Sequence, residues 1–198
     1  MTHLWVKVCG LREERHVNAA MNAGCDAIGF VFADSPREID PRDAAKLARR
    51  AGPTLKTVAV MRHPDDARWQ RVLRHFRPDY LQTDIDDYTA LDVPDDVARL
   101  PVFRDTRAPK PGELSTAAPV LYEGALSGSG QSADWHRAAE VARHCPVVLA
   151  GGLSVDNLAA AVKAVKPWGV DVSSGIEKKR GLKDAALIDQ FIRTARQL

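Results

Sequence analysis

Short apolar runs recur eight times along this chain, and longer amphipathic stretches follow nearly all of them. The runs are WVKVC (5–9), AIGFVF (27–32), TVAVM (57–61), DYLQT (79–83), PVFRD (101–105), PVLYE (119–123), PVVLA (146–150) and GVDVS (169–173). They read as strands. The stretches 13–23, 41–50, 64–76, 134–143, 154–165 and 184–196 read as helices, with 91–99 weakly helical. Apolar spacing supports this: Val17, Ala20 and Met21 share one helical face, as do Leu187, Ile188, Phe191 and Ile192. Asp40 followed by Pro41 marks one helix start, and Ser154 is the expected cap of another.

The strand-like runs are nearly continuous in apolar character rather than alternating. That pattern belongs to a parallel sheet covered on both faces. Eight strand–helix units fit a small closed (β/α)8 barrel, the TIM-barrel architecture. An open doubly wound sheet is the alternative. No G-x-G-x-x-G follows the first run and no GxxxxGK[ST] occurs, so the usual dinucleotide and P-loop signals are missing. The polar stretch 106–117 holds Pro109 and Pro111, and Pro119 lies just beyond, which predicts a reduced or missing helix after strand five. No linker divides the chain, so residues 1–198 are expected to form one domain.

Composition narrows the function. The chain has 198 residues, with 28 Lys+Arg against 26 Asp+Glu and 45% apolar residues. A domain of this size buries roughly 70% of its unfolded surface and needs no metal or disulfide to hold it. Balanced charge argues against a nucleic-acid binder. No run approaches the ~20 apolar residues needed to cross a bilayer. The first residues lack a signal-peptide pattern, so a cytoplasmic protein with no membrane or nucleic-acid partner is expected. Cys9, Cys25 and Cys145 are odd in number, widely spaced and outside any CxxC or His-rich cluster, which argues against a disulfide framework or a metal site. Cys25 and Cys145 read as small buried hydrophobes.

In such a barrel the reactive groups gather at the carboxyl ends of the strands. Those ends carry Lys7 and Cys9, the loop 33–37 with Arg37, Gln82 and Asp84, Arg104 and Asp105, Glu123, Gly151-Gly152, and Asp171 with Ser173-Ser174-Gly175. Small-residue loops after strands seven and eight let backbone N–H groups approach a phosphate, and a following helix start adds a favourable dipole. Lys7 and Cys9 share a strand face. Ionised groups such as Lys7 and Glu123 rarely enter apolar strands without a partner. The residues alone therefore indicate a phosphate-binding barrel with an acid/base centre, not a particular reaction.

Four segments carry a resemblance: KVCGLR (7–12), GFVFADSPREI (29–39), LAGGLSVDNLAAAVKAVKPWGVDVSSGIE (149–177) and GLKD (181–184). Together, in this order and spacing, they are similar to the phosphoribosylanthranilate isomerases of tryptophan biosynthesis, and the similarity runs from the first strand to the last helix. The resemblance implies an Amadori rearrangement without a cofactor or metal. N-(5-phosphoribosyl)anthranilate, a phosphorylated small molecule, would become 1-(2-carboxyphenylamino)-1-deoxyribulose 5-phosphate. An acid opens the furanose ring to a Schiff base, and a base removes the C2 proton. By resemblance the base falls on Cys9, with Lys7 the nearby cation favouring a thiolate. The family's acid is usually an aspartate at the end of strand six, where this chain has Glu123 followed by a shortened loop, 124–128. Either Glu123 donates the proton, or it orders the loop and Asp171 donates. An acid that starts protonated is expected against an apolar wall and away from cations, and alternation excludes Tyr122 as that wall. Arg37 is matched to an arginine expected to meet the anthranilate carboxylate. Gln82 matches a family glutamine, but Thr83-Asp84 departs from the pattern there. Asp171 is a site-lining polar residue, and Gly151, Gly152, Ser173, Ser174 and Gly175 are the expected phosphate site. The family includes monomers and homodimers.

Three rivals are weaker. A histidine-biosynthesis isomerase would show a half-barrel repeat and an aspartate in place of Cys9. A catalytically silent barrel would bind a phosphorylated ligand only. A Schiff-base aldolase would use Lys7 or Lys56.

Overall fold

The computed structural model describes residues 3–106, 109, 114, 116–125 and 133–198. Eight strands pair in chain order: β1 (Trp5–Cys9), β2 (Ala27–Val31), β3 (Lys56–Val60), β4 (Tyr80–Asp84), β5 (Ala98–Arg104), β6 (Val120–Glu123), β7 (Val147–Leu149) and β8 (Gly169–Val172). Every pairing is parallel, and β8 closes on β1 with Lys7 opposite Asp171. This is the small closed barrel that the apolar pattern predicts.

Parallel neighbours need a crossover, and helices supply most of them. They are α1 (Glu14–Ala23), α2 (Pro41–Ala51), α3 (Asp66–Leu73), α4 (Trp135–Ala142), α5 (Leu158–Val165) and α6 (Ala185–Arg196). An aspartate before the first turn caps four of them. Asp40, Asp65, Asp134 and Asp184 each accept backbone N–H groups of the turn they precede. The spacing of Ile188, Phe191, Ile192 and Ala195 puts one stripe of α6 in the core.

Strand alternation divides the barrel into two apolar layers. Val6, Val8, Ile28, Phe30, Leu81, Tyr122 and Leu149 point outward into the layer beneath the helices. Ala27, Val58, Leu100, Val102, Leu121 and Val148 fill the inside. The inward set on β1 is therefore Trp5, Lys7 and Cys9, and on β6 it is Leu121 and Glu123. Cys9 and Glu123, at the ends of these two strands, thus line the upper mouth. Among the described residues no helix is long and apolar enough to cross a membrane.

The structure departs from the sequence pattern in three places, and a fourth expectation is not tested. Residues 91–99 are not helical; the helical piece between β4 and β5 is a short 3-10 turn, Ile85–Ala90, and β5 already begins at Ala98. Pro94 explains this, since it disfavours helical backbone at Val93 and supplies no N–H of its own. The helix expected from Ser154 begins at Leu158, after Asn157. Asn157 instead ties the preceding turn, accepting from the Ser154 N–H at 2.9 Å and donating to the Gly152 carbonyl at 2.8 Å. A small antiparallel hairpin, β9 (Glu177–Lys179) and β10 (Leu182–Lys183), follows β8 with no apolar signal to announce it. Finally, most of the stretch expected to lack a helix after β5 lies outside the described residues.

Candidate active site

The mouth is built first from β1 and β8. Lys7 is fully buried, and its Nζ donates to Asp171 Oδ1 at 2.7 Å across the closing seam. A Cβ placed on Gly29 would lie 3.1 Å from Cys9 Sγ and 3.2 Å from Lys7 Cε, so both side chains fill the space that this glycine leaves open. The expected Lys7–Cys9 neighbourhood is therefore physical. Burial opposes the Lys7 charge, but Asp171 and Cys9 outweigh it and raise its pKa. Burial pushes the Cys9 thiol up; Lys7 and Lys183 pull it down and Asp171 works with burial, leaving it above its ordinary value.

The loops after β7 and β8 meet directly. Ser154 and Gly175 form an isolated parallel bridge. The approach is so close that a Cβ on Gly175 would lie 1.9 Å from the Leu153 carbonyl oxygen. Gly151 and Gly152 adopt φ of 88° and 66°, which glycine enters without a steric cost. Ser173 Oγ donates to the Cys9 carbonyl at 3.3 Å, linking this lobe to the β1 end. The N-terminus of α5 stands one turn further along the chain than the sequence implies, so backbone N–H groups of the loops are the nearer anion donors.

Arg37 is buried in the loop after β2, with Nε and Nη2 donating to Glu177 at 2.7 and 3.0 Å. Lys183 Nζ donates to the same carboxylate at 2.8 Å and to the Ser173 carbonyl and hydroxyl at 2.8 and 3.0 Å. Burial alone would raise the Glu177 carboxyl, but Arg37 and Lys183 outweigh it and hold it at about 2. Burial lowers the Lys183 ammonium below its ordinary pKa despite Glu177. Neither Glu177 nor Lys183 stands out as a site residue in the sequence. Their only signal is membership of the GIE and GLKD segments.

Across the ring, Glu123 is opposite Arg104 in the β5–β6 register. Arg104 Nη1 donates to Glu123 Oε2 at 3.2 Å, while its Nε and Nη2 donate to the two oxygens of Asp84 at 2.5 and 3.0 Å. The expectation of a Glu123 carboxyl kept away from cations is thus overturned: the glutamate meets Arg104, a strand-end residue of the sequence pattern whose pairing with it the pattern did not announce. Arg37 also senses this carboxylate. Burial lowers its pKa, but Glu177 chiefly, with Cys9 and Glu123 adding to it, raises it overall. Cys9 and Glu123 end β1 and β6, and Arg37 stands in the loop after β2, so all three lie at the carboxyl end of the closed barrel. Tyr122 faces outward as alternation requires, with its hydroxyl on Asp105 at 2.9 Å. Gln82 is inward and buried, and its Oε1 has no hydrogen-bond partner among the described residues.

Among the described residues, His63, Asp84 and Asp87 form the one grouping close enough to share a metal ion. Asp84 is already committed to Arg104, and Asp87 to Thr83 at 2.5 Å and His63 at 3.1 Å. The grouping is satisfied as an ion-pair and hydrogen-bond cluster.

The arrangement offers a thiol beside an ammonium, a carboxyl three strands round the ring, and an adjoining lobe of glycine and serine amides. Comparison with known proteins agrees with it. The family model described as N-(5'phosphoribosyl)anthranilate (PRA) isomerase matches residues 6–194. The N-(5'-phosphoribosyl)anthranilate isomerase of Bordetella pertussis is 39% identical over 94% of this chain and 93% of its own length. That of Pseudomonas putida KT2440 is 35% identical over the full length of both. The crystal structure of phosphoribosyl anthranilate isomerase from Thermus thermophilus superposes with a TM-score of 0.82 at 25% identity, covering 96% of this chain and 98% of that one. A further isomerase structure, in complex with reduced 1-(o-carboxyphenylamino)-1-deoxyribulose 5-phosphate, shares the fold with a TM-score of 0.78, covering 98% of this chain and 100% of that one at 24% identity. This chain belongs to the N-(5'-phosphoribosyl)anthranilate isomerase family.

Proposed function

We propose that the protein catalyses the Amadori rearrangement of N-(5'-phosphoribosyl)anthranilate in tryptophan biosynthesis, with Cys9 as base and Glu123 as acid. The observation that carries this reading is the convergence of both groups on one mouth beside the joined β7 and β8 loops. The substrate phosphate docks on the amides of Gly151, Gly152, Ser173, Ser174 and Gly175, which places the sugar over the centre of the barrel. Glu123 protonates the furanose ring oxygen and opens the ring to the Schiff base. Cys9 acts from its thiolate fraction, its own proton having passed to solvent before the substrate is committed; the thiolate takes the C2 proton, and the enolamine tautomerises to the ketone.

The neighbours have roles that follow from their contacts. Lys7 favours the thiolate form of Cys9 that acts as the base, and Asp171 holds Lys7 in place. Arg37 has two nitrogens committed to Glu177, so it meets the anthranilate carboxylate end-on through Nη1 rather than as a two-pronged fork. The buried acceptor of Gln82 takes a hydrogen bond from a substrate N–H or O–H, which supplies the partner it lacks among the described residues. In this reading the protein is one domain, works in the cytoplasm without cofactor or metal, and is a monomer or homodimer.

A turnover assay with freshly formed phosphoribosylanthranilate tests the reading. Conversion to the ketose phosphate is expected. Tight binding of the product without turnover would overturn it in favour of a silent barrel.

A further inference from the structure

Three side chains at the ends of β4, β5 and β6 form a continuous chain of charge: Asp84, Arg104 and Glu123. The register sets this up. Asp84 lies opposite Val102, two residues before Arg104 on the same inward face, and Arg104 lies directly opposite Glu123. Asp84 accepts from both Nε and Nη2 of Arg104, the planar two-point geometry that fixes a guanidinium's orientation. The third nitrogen, Nη1, is then aimed at Glu123 Oε2 at 3.2 Å. All three side chains are less than one-fifth exposed, so water screens the arrangement weakly. Among the described residues, the side-chain hydrogen bonds of Arg104 go to these two carboxylates.

We propose that Arg104, clamped by Asp84, is a positioning residue for Glu123: it fixes the carboxyl at the barrel mouth and receives its negative charge when the proton is given to the substrate. The proposal rests on the reading of Glu123 as the general acid. Its chemical logic is that a furanose ring oxygen is a very weak base. A donor that becomes a carboxylate in the transition state gains from a preorganised cation already in place. The proton moves from the Glu123 carboxyl to the ring oxygen as the C1–O bond breaks, and the resulting carboxylate closes on Nη1. Asp84 keeps Arg104 from swinging into the substrate space, and it stands in turn beside His63, 3.8 Å away, and the Asp87 that His63 also meets. Among the described residues, the charged groups that bear on Glu123 include Arg104 from β5, Asp84 behind it from β4, and Arg37 from the loop after β2.

The test uses Arg104→Met, Arg104→Lys and Asp84→Asn, alone and in a Glu123→Gln background, with kcat, KM and pH profiles measured. In Arg104→Met, kcat should fall about 10–100-fold with KM little changed, the size expected when a positioned proton donor loses its support. The high-pH limb of kcat, where the acid is lost, should move upward because a cation that favours the carboxylate has gone. Arg104→Lys should recover part of kcat and return the limb towards the wild-type position. Asp84→Asn should cause a smaller loss that is not additive with Arg104→Met. In the Glu123→Gln background Arg104→Met should have no further effect on kcat. A full additional loss in that background, or a rise in KM with the limb unmoved, would overturn the proposal and make Arg104 a substrate contact. Undiminished kcat in Glu123→Gln alone would instead overturn the reading on which it rests. Should Arg104→Met fold poorly, Asp84→Asn with Arg104→Lys carries the same comparison.

Discussion

Lys7 and Asp171 lie opposite each other where the barrel closes, and the ammonium donates to the carboxylate at 2.7 Å with Lys7 wholly out of water. Two charges on neighbouring strands thus join the first and last units of the chain directly beneath Cys9. Removing one partner strands the other in a low-dielectric interior, which costs about 3–5 kcal/mol. Asp171→Ala should therefore lower stability by that order in denaturant unfolding. The double variant Lys7→Met/Asp171→Leu should regain most of it, because two apolar side chains replace a desolvated pair. It should not regain turnover, because the thiol then lacks its nearest cation. A double variant as unstable as the single one would show that the pair does more than neutralise itself.

The Cys9 thiol provides the second prediction. Burial outweighs Lys7 and Lys183 and keeps its pKa above the ordinary value. Its alkylation rate by iodoacetamide should keep climbing as pH passes 9 rather than reaching a plateau near neutrality, since the thiolate is the nucleophile. Cys25 is pushed up to about 12 by burial and Cys145 is also raised, so neither should react ahead of it near neutral pH. Cys9→Ser should bind the product with near wild-type affinity and lose at least ~10²-fold in kcat. Full labelling of Cys9 at pH 6 within the time that free cysteine reacts would contradict the burial argument.

What could be read from the sequence, and what could not, follows from the range of the interactions. Lys7, Cys9, Glu123 and Asp171 were legible because strand alternation and strand ends are local properties, and each of these residues interrupts an apolar run. The Gly151-Gly152 and Ser173-Ser174-Gly175 loops were legible for the same reason. The contacts of Arg104 with Glu123 and Asp84 were not, because the three strand-end residues stand 19 and 20 positions apart and meet only when β4, β5 and β6 pair. The Arg37–Glu177 bridge spans 140 positions and rests on a hairpin with almost no apolar content, so nothing in the local pattern announces it. The absence of a helix at 91–99 has a different origin: the helical spacing there is weak, and Pro94 constrains its neighbours against it.

Glu177 ties the stability of the mouth to pH. Its carboxyl is held at about 2 in the folded chain by Arg37 and Lys183, against an ordinary value of 4.5. The folded pKa is below the unfolded one, so the stabilisation is complete above about pH 4.5 and is lost as pH falls towards 2. A shift of this size corresponds to about 3 kcal/mol. Unfolding free energy measured from pH 6 downward should fall across that window, and Glu177→Gln should flatten this part of the curve while lowering stability at pH 7. An unchanged acid slope in Glu177→Gln would place the acid sensitivity in other carboxylates.

The last prediction isolates the phosphate lobe. Gly175 sits where its α-carbon faces the Leu153 carbonyl so closely that an added Cβ would come within 1.9 Å of the oxygen. Backbone cannot yield as a flexible side chain does, so Gly175→Ala must push the β8 loop away from the β7 loop and open the Ser154–Gly175 bridge. Gly151 is a weaker test of the same lobe, because its φ of 88° makes any substitution strained for local reasons alone. If the two loops form one anion site, Gly175→Ala should weaken inorganic phosphate and product binding by at least tenfold and raise KM. Its kcat at saturation should fall less, because Cys9, Lys7, Arg104 and Glu123 stand on other strands. Binding is measured by calorimetry and folding by near-ultraviolet circular dichroism, so that loss of the lobe is separated from loss of the barrel. A folded Gly175→Ala variant that binds phosphate as the parent does would move the phosphate site elsewhere on the mouth, with Lys183 and Arg37 the first cations to examine.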